Sequence, residues 1–104
     1  MIRVTVLYPQ DPSKKFDFDY VQNNHLPMVQ RLLGPMGLQS AAMDKGISTA
    51  DPNAPAPYVA LNHLVFNTVE EVHQAFITHG SEIMSDVKNY TEITPQIQIS
   101  EIVG

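Results

Sequence analysis

The stretch from Tyr58 to Asn67 reads YVALNHLVFN, and it decides the fold class. Val59, Leu61, Val65 and Phe66 put apolar side chains on both parities, which suits a strand buried on both faces better than one open to water. Such a strand belongs in the middle of a sheet, so partners are expected on both sides of it in the chain. Downstream, Thr68 stands three residues before Glu71, the spacing of a capping box in which each side chain satisfies a backbone N–H at a helix start. The helix opened by this box has an inner stripe of Val69, Val72, Phe76 and His79. Gly80 is expected to break it, and Ser81 to cap a second set of turns bearing Ile83 and Val87 before Tyr90. The last strand runs from Gln96 to Val103, with Ile97, Ile99 and Val103 on one parity and Gln98 and Ser100 on the other. Pro95 is tolerable only at its start.

Upstream, the proline-rich loop from Ser48 to Pro57 is expected to be mobile and to lie near a pocket mouth. Leu38 to Ser48 is a weaker strand, carrying Ala and Met rather than β-branched residues, and reads as a sheet edge. From Asp17 the apolar spacing is helical, with Phe18, Val21, His25, Met28 and Leu32 at three- and four-residue steps until Gly34-Pro35. The chain starts on strand alternation, Ile2, Val4, Val6 and Tyr8 against Arg3, Thr5 and Leu7, which Pro9 and Asp11-Pro12-Ser13 end.

The order β-α-β-β-α-β predicts an α+β, ferredoxin-like fold, with right-handed crossovers placing two helices on one face of a four-stranded antiparallel sheet. The central strand has no polar side and Leu7 sits on the far parity of the first strand, so the other sheet face needs a cover. A second copy is the simplest one, and a homodimer is expected.

A chain of 104 residues suits one domain spanning 1–104 with one core. Hydrophobic residues make up 43% and charged ones only 16%, below the usual ~25%, which agrees with a packed globule part of whose surface is covered. Eleven acidic against six basic residues give a net charge of −5, so no basic face gathers phosphates, and nucleic acid is not expected as a partner. The absence of cysteine removes disulfides, thiolate catalysis and Cys-type metal sites. The N-terminus has no basic leader and no apolar run reaches the ~20 residues that span a bilayer, so no membrane association and a cytoplasmic location are expected.

Phe16-Asp17, Tyr20 and His25-Leu26-Pro27, then Ala56-Pro57-Tyr58, His63-Leu64, and Glu82-Ile83-Met84 through Asn89-Tyr90 stand in that order across nearly the whole chain. As a set they resemble the EthD-like family, named for an ether-degradation gene cluster. The resemblance implies the dimeric α/β-barrel fold and kinship with cofactor-independent monooxygenases, polyketide cyclases and decarboxylases. It therefore implies no cofactor and a small organic ligand.

His25 occupies the middle of the first helix's apolar stripe, and Pro27 lacks the N–H that would bond the Asn23 carbonyl. Two readings are open: a core histidine satisfied by that carbonyl, or a proton carrier, since imidazole ionises near ~6.5 and serves acid/base work. The family's H-x-P motif favours the second. His63, on a strand side with Val59, Leu61 and Val65, needs a partner or a ligand. In similar cyclases a histidine on the third strand and another near the end of the second helix line the cavity, which points to His63 as catalytic and His79 as substrate-binding. Tyr90 can orient a substrate oxygen or stabilise an enolate, and Tyr8 is a substrate-binding candidate of the same kind; both can equally be hydroxyl-tipped core aromatics. His73, among Glu70, Glu71 and Gln74, is expected in solvent.

No H-x-H or H-E-x-x-H spacing accompanies the histidines, so no metal site is expected. Neither a G-x-S-x-G elbow nor a phosphate-cradling glycine loop is present. Two functions remain: a cofactor-independent enzyme performing oxygenation, cyclisation, dehydration or decarboxylation, or a non-catalytic binding or accessory protein holding a metabolite in the same pocket.

Overall fold

A computed structural model describes residues 1–104. Strand β1 spans Ile2–Pro9, β2 Ser40–Lys45, β3 Tyr58–Phe66 and β4 Gln96–Glu101. They form one antiparallel sheet in the order β2-β3-β1-β4. Thus β3 and β1 are central, and the weak strand β2 lies at the edge, as its small side chains suggest. Two helices lie on one sheet face, which makes the fold ferredoxin-like. No helix is long and apolar enough to cross a membrane.

The first helix, α1, covers 18–33 in three contiguous parts: an α-turn Phe18–Tyr20, a π-helical turn Val21–His25 and an α-helix Leu26–Leu33. Asp17 caps it, its carboxylate accepting from the Tyr20 N–H at 3.0 Å. At the π-turn the Leu26 N–H bonds the Val21 carbonyl, five residues back, immediately before Pro27. A wider turn carries about one extra residue and shifts the phase of the later turns. The buried residues after His25 are accordingly Val29 and Leu33, one position beyond the expected Met28 and Leu32, which are only partly buried.

The second helix, α2, spans Val69–Ser85 and starts with the expected capping box. Thr68 Oγ1 accepts from the Glu71 N–H at 3.1 Å, and Glu71 Oε1 accepts from the Thr68 N–H at 3.2 Å. The expected break at Gly80 does not occur, because Gly80 is itself buried in the helix interior beside Phe76. The inner stripe is Val72, Ala75, Gly80 and Ile83, whereas Val69 and His79 lie at its margin. Strand β4 is shorter than expected, and Val103 lies beyond it in solvent.

The strand register sorts the side chains into two layers. Val4 pairs with Leu64, Val6 with Asn62 and Tyr8 with Ala60, and these face the helices. Arg3, Thr5 and Leu7 pair with Val65, His63 and Leu61 on the opposite, open face. Beneath the helices the core divides into one cluster around Val4, Leu33, Phe66 and Val72 and another around Tyr8, Val21, Val87 and Tyr90. The second cluster carries the two buried phenols, Tyr8 and Tyr90.

Candidate active site

The residues between α2 and β4 fold back on those that precede α1. Phe16 and Thr91 form an isolated β-bridge, the Asp17 N–H donates to the Tyr90 carbonyl at 2.9 Å, and Thr91 Oγ1 donates to the Lys15 carbonyl at 2.7 Å. This clamp carries the Tyr90 ring inward, edge-on to Tyr8 and Phe16, with the His25 ring centroid 4.9 Å away. The π-turn of α1 meanwhile presents His25 inward, only 4% exposed.

His25 Nδ1 lies 2.8 Å from Asp86 Oδ2. Asp86 is the residue at the C-terminal end of α2, where the helix dipole disfavours an acid. Three donors compensate: Tyr20 O–H at 2.7 Å and Asn89 Nδ2 at 2.9 Å to Oδ1, and His25 Nδ1–H to Oδ2. Burial works against ionisation of Asp86, but the bonds from Asn89, His25 and Tyr20 outweigh it and hold the carboxyl below its usual range. A carboxylate only accepts, so Nδ1 carries the proton and Nε2 is the acceptor end of the neutral ring. Nε2 faces the Tyr90 hydroxyl at 3.5 Å, a contact at the outer limit of a hydrogen bond. The Tyr90 hydroxyl in turn meets that of Tyr8 at 2.5 Å.

Asp86, His25, Tyr90 and Tyr8 thus form one polar line through an apolar surrounding. Burial is the main cause that raises the Tyr90 phenol far above its ordinary range, with Tyr8 and Asp86 adding to it. Burial likewise raises Tyr8, partly offset by its bond to Tyr90. Tyr20 is raised chiefly by its bond to the Asp86 carboxylate. All three phenols are therefore neutral hydrogen-bonding groups around neutral pH.

A narrow cavity of about 20 Å³ opens between helices and sheet, with His25, Tyr8 and Asn62 as its polar lining. The rest of its wall is apolar, including Leu26, Val29, Phe76, Ile83 and Met84. That volume holds about one water-sized group. The loop before β3 contributes nothing to this lining and borders a separate surface groove.

Of the residues singled out in the sequence, the structure brings His25, Tyr90 and Tyr8 together. His25 takes a carboxylate as partner and not the carbonyl that Pro27 was expected to release. His63 is elsewhere: its strand parity places it on the open face, where Nε2 lies 2.9 Å from Asp44 Oδ2 and Nδ1 is buried without a partner. His79 is at the margin of α2, 3.4 Å from Glu82 Oε1, and does not line the cavity. No three His, Asp or Glu side chains converge as metal ligands.

Sequence reading missed Asp86, Tyr20 and Asn62 as site residues. An acid at a helix C-terminus was the available signal for Asp86, and Asn62 interrupts the parity Ala60, Leu64, Phe66. Tyr20 had only its place in the family pattern.

Residues 10–94 match the EthD domain family. An EthD-like protein from Ralstonia eutropha JMP134 is 36% identical, with 99% of this chain and 92% of that one aligned and a TM-score of 0.92. An ethyl tert-butyl ether d (EthD) family protein from Bacillus halodurans C-125 shares 19% identity over 99% of each chain, with a TM-score of 0.69. An antibiotic biosynthesis monooxygenase aligns over 100% of both chains at 10% identity and a TM-score of 0.52, which shows a shared fold alone. The chain matches no curated protein.

Proposed function

Because this chain belongs to the EthD family, we propose that it is a small-molecule enzyme performing cofactor-independent acid/base chemistry on an oxygen-bearing organic substrate. The observation that carries this reading is the line Asp86–His25–Tyr90–Tyr8 at the edge of an apolar cavity. Asp86 holds the imidazole in the tautomer whose Nε2 accepts a proton, and its charge stabilises the imidazolium once formed. The Tyr8 hydroxyl, which lines the cavity and is kept neutral by burial, is the donor for the oxyanion or enolate that deprotonation leaves, and Tyr90 supports it through the bond between the two hydroxyls. Oxygenation by dioxygen, aldol-type cyclisation and elimination of water can each start from such an anion, and decarboxylation of a β-keto acid generates one by releasing CO2.

Exchange of the α-protons of 2-tetralone into deuterated water, followed by NMR, tests the proton-transfer step without knowledge of the natural substrate. Wild-type protein should accelerate exchange, and His25→Asn should lower the rate by roughly 10²–10⁴-fold while keeping most of the stability. Unchanged exchange together with a lowered melting temperature would make His25 a structural residue and leave a binding or accessory role.

The protein works, in this proposal, as a homodimer joined through the open sheet face. In support, Leu7, Leu61 and Val65 on that face are half-buried and apolar, and the buried His63 Nδ1 lacks a partner. A sedimentation mass near 11.6 kDa at micromolar concentration would contradict it.

A further inference from the structure

Asn62 lies on the helix-facing side of β3, is 4% exposed, and its side-chain oxygen is buried without a hydrogen-bond partner. Its register neighbours are Val6 on β1 and Met43 on β2, so neither flanking strand offers a donor. Buried amide oxygens in folded proteins are paired almost without exception, and an unpaired one asks for a reason. Asn62 lines the same cavity as His25, one approaching from the sheet and the other from α1.

The chemistry of the missing partner is dictated by the lining. An amide oxygen accepts, so the partner is a donor. No Lys or Arg lines the cavity, and the Asp86 carboxylate stands behind His25, so an anionic ligand would meet no countercharge. The remaining wall is aliphatic and aromatic. Leu26, Phe76 and Met84 line the cavity yet are partly exposed, so they separate it from solvent. The cavity as it stands accommodates only the polar end of a ligand, and these three side chains must turn aside for its body. Methionine is well suited to that.

We propose that Asn62 selects the substrate: its Oδ1 accepts the O–H of a neutral phenolic or enolic ligand whose apolar body lies against Leu26, Phe76 and Met84. This rests on reading the His25 cavity as the site, and it adds the substrate class. A hydroxyl held at Asn62 is fixed in the cavity that His25 also lines. Asn62 is then a positioning and specificity residue, and the proton transfer stays with His25.

Phenol and toluene have nearly the same shape and differ in the hydroxyl, so the ratio of their Kd values isolates the donor. Chemical-shift titration of the folded protein measures both, without turnover. Replacing Asn62 by Leu should shift that ratio by about tenfold in favour of toluene, the equivalent of one net hydrogen bond. Asn62→Ala should shift it the same way, which covers failure of the Leu variant to fold. Benzoate should bind wild type at least tenfold more weakly than phenol. An unchanged ratio in both Asn62 variants, benzoate binding as tight as phenol, or no binding of phenol would each overturn the proposal. Loss of the catalytic reading would show in 2-tetralone exchange and not in this ratio.

Discussion

His25 and Asp86, 61 residues apart in the chain, meet side chain to side chain at 2.8 Å, with the carboxylate deciding which imidazole nitrogen carries the proton. Asp86→Asn keeps the shape but can present an N–H to Nδ1, favouring the other tautomer and removing the acceptor at Nε2. The variant should fold and lose roughly 10²–10⁴-fold in 2-tetralone exchange. Its ring ¹⁵N shifts should show the proton moved from Nδ1 to Nε2. Wild-type shifts together with normal exchange would show that Asp86 does not orient the ring.

The same carboxylate sets an acid limit on stability. Its folded-state pKa is depressed, so unfolded chains bind the proton more readily than folded ones as pH drops. The stabilisation is complete above the ordinary carboxylate range, near ~4, and is lost as pH falls through the folded value. Denaturant midpoints measured from pH 6 down to pH 2 should fall for wild type and flatten for Asp86→Asn. Parallel curves for the two proteins would remove Asp86 from the acid transition.

At high pH the sign reverses. Tyr8, Tyr20 and Tyr90 have raised folded pKa values, so their contribution is complete below the ordinary phenol range, near ~10. It is lost as pH rises from there toward the folded values. Absorbance at 295 nm should therefore show these phenols ionising late, with Tyr8 and Tyr90 released together with alkaline unfolding. A spectrum in which all four tyrosines ionise near pH ~10 while the circular dichroism stays native would contradict the buried pair.

Two glycines after α1 should respond to different extents. Gly37 has φ 106°, and a Cβ there would collide with the Glu71 carboxylate that caps α2. Gly37→Ala should cost about 1–3 kcal/mol through left-handed strain and a disturbed cap. Gly34 has φ −52°, and only its chain neighbour Pro35 would crowd a Cβ there. Gly34→Ala should change stability by less than about 1 kcal/mol, because the entropy gained by restricting the unfolded chain is offset by crowding of the new Cβ against the Pro35 ring. Thermal unfolding of both variants checks the pair, and equal melting temperatures would refute the backbone argument.

Local pattern was enough for the element order and for the edge and central places of β2 and β3, because apolar periodicity and the Thr68–Glu71 cap act over a few residues. It was also enough to place His25 on the inward stripe of α1, whereas Tyr90 stood out through the family pattern. Tertiary structure alone decided three things. The π-turn at Val21–His25, a one-residue change of phase that helical spacing does not reveal, sets which later residues of α1 are buried. The pairing of Thr5 with His63 assigns that histidine to the open face, because strand parity states that two faces differ but not which one the helices cover. The partner of His25 comes from the far end of α2, a contact between distant segments that no local rule encodes. Asn62 shares this last property: its sequence position shows a polar residue on an apolar parity, and only the packed helices above it show that nothing in the chain reaches its oxygen.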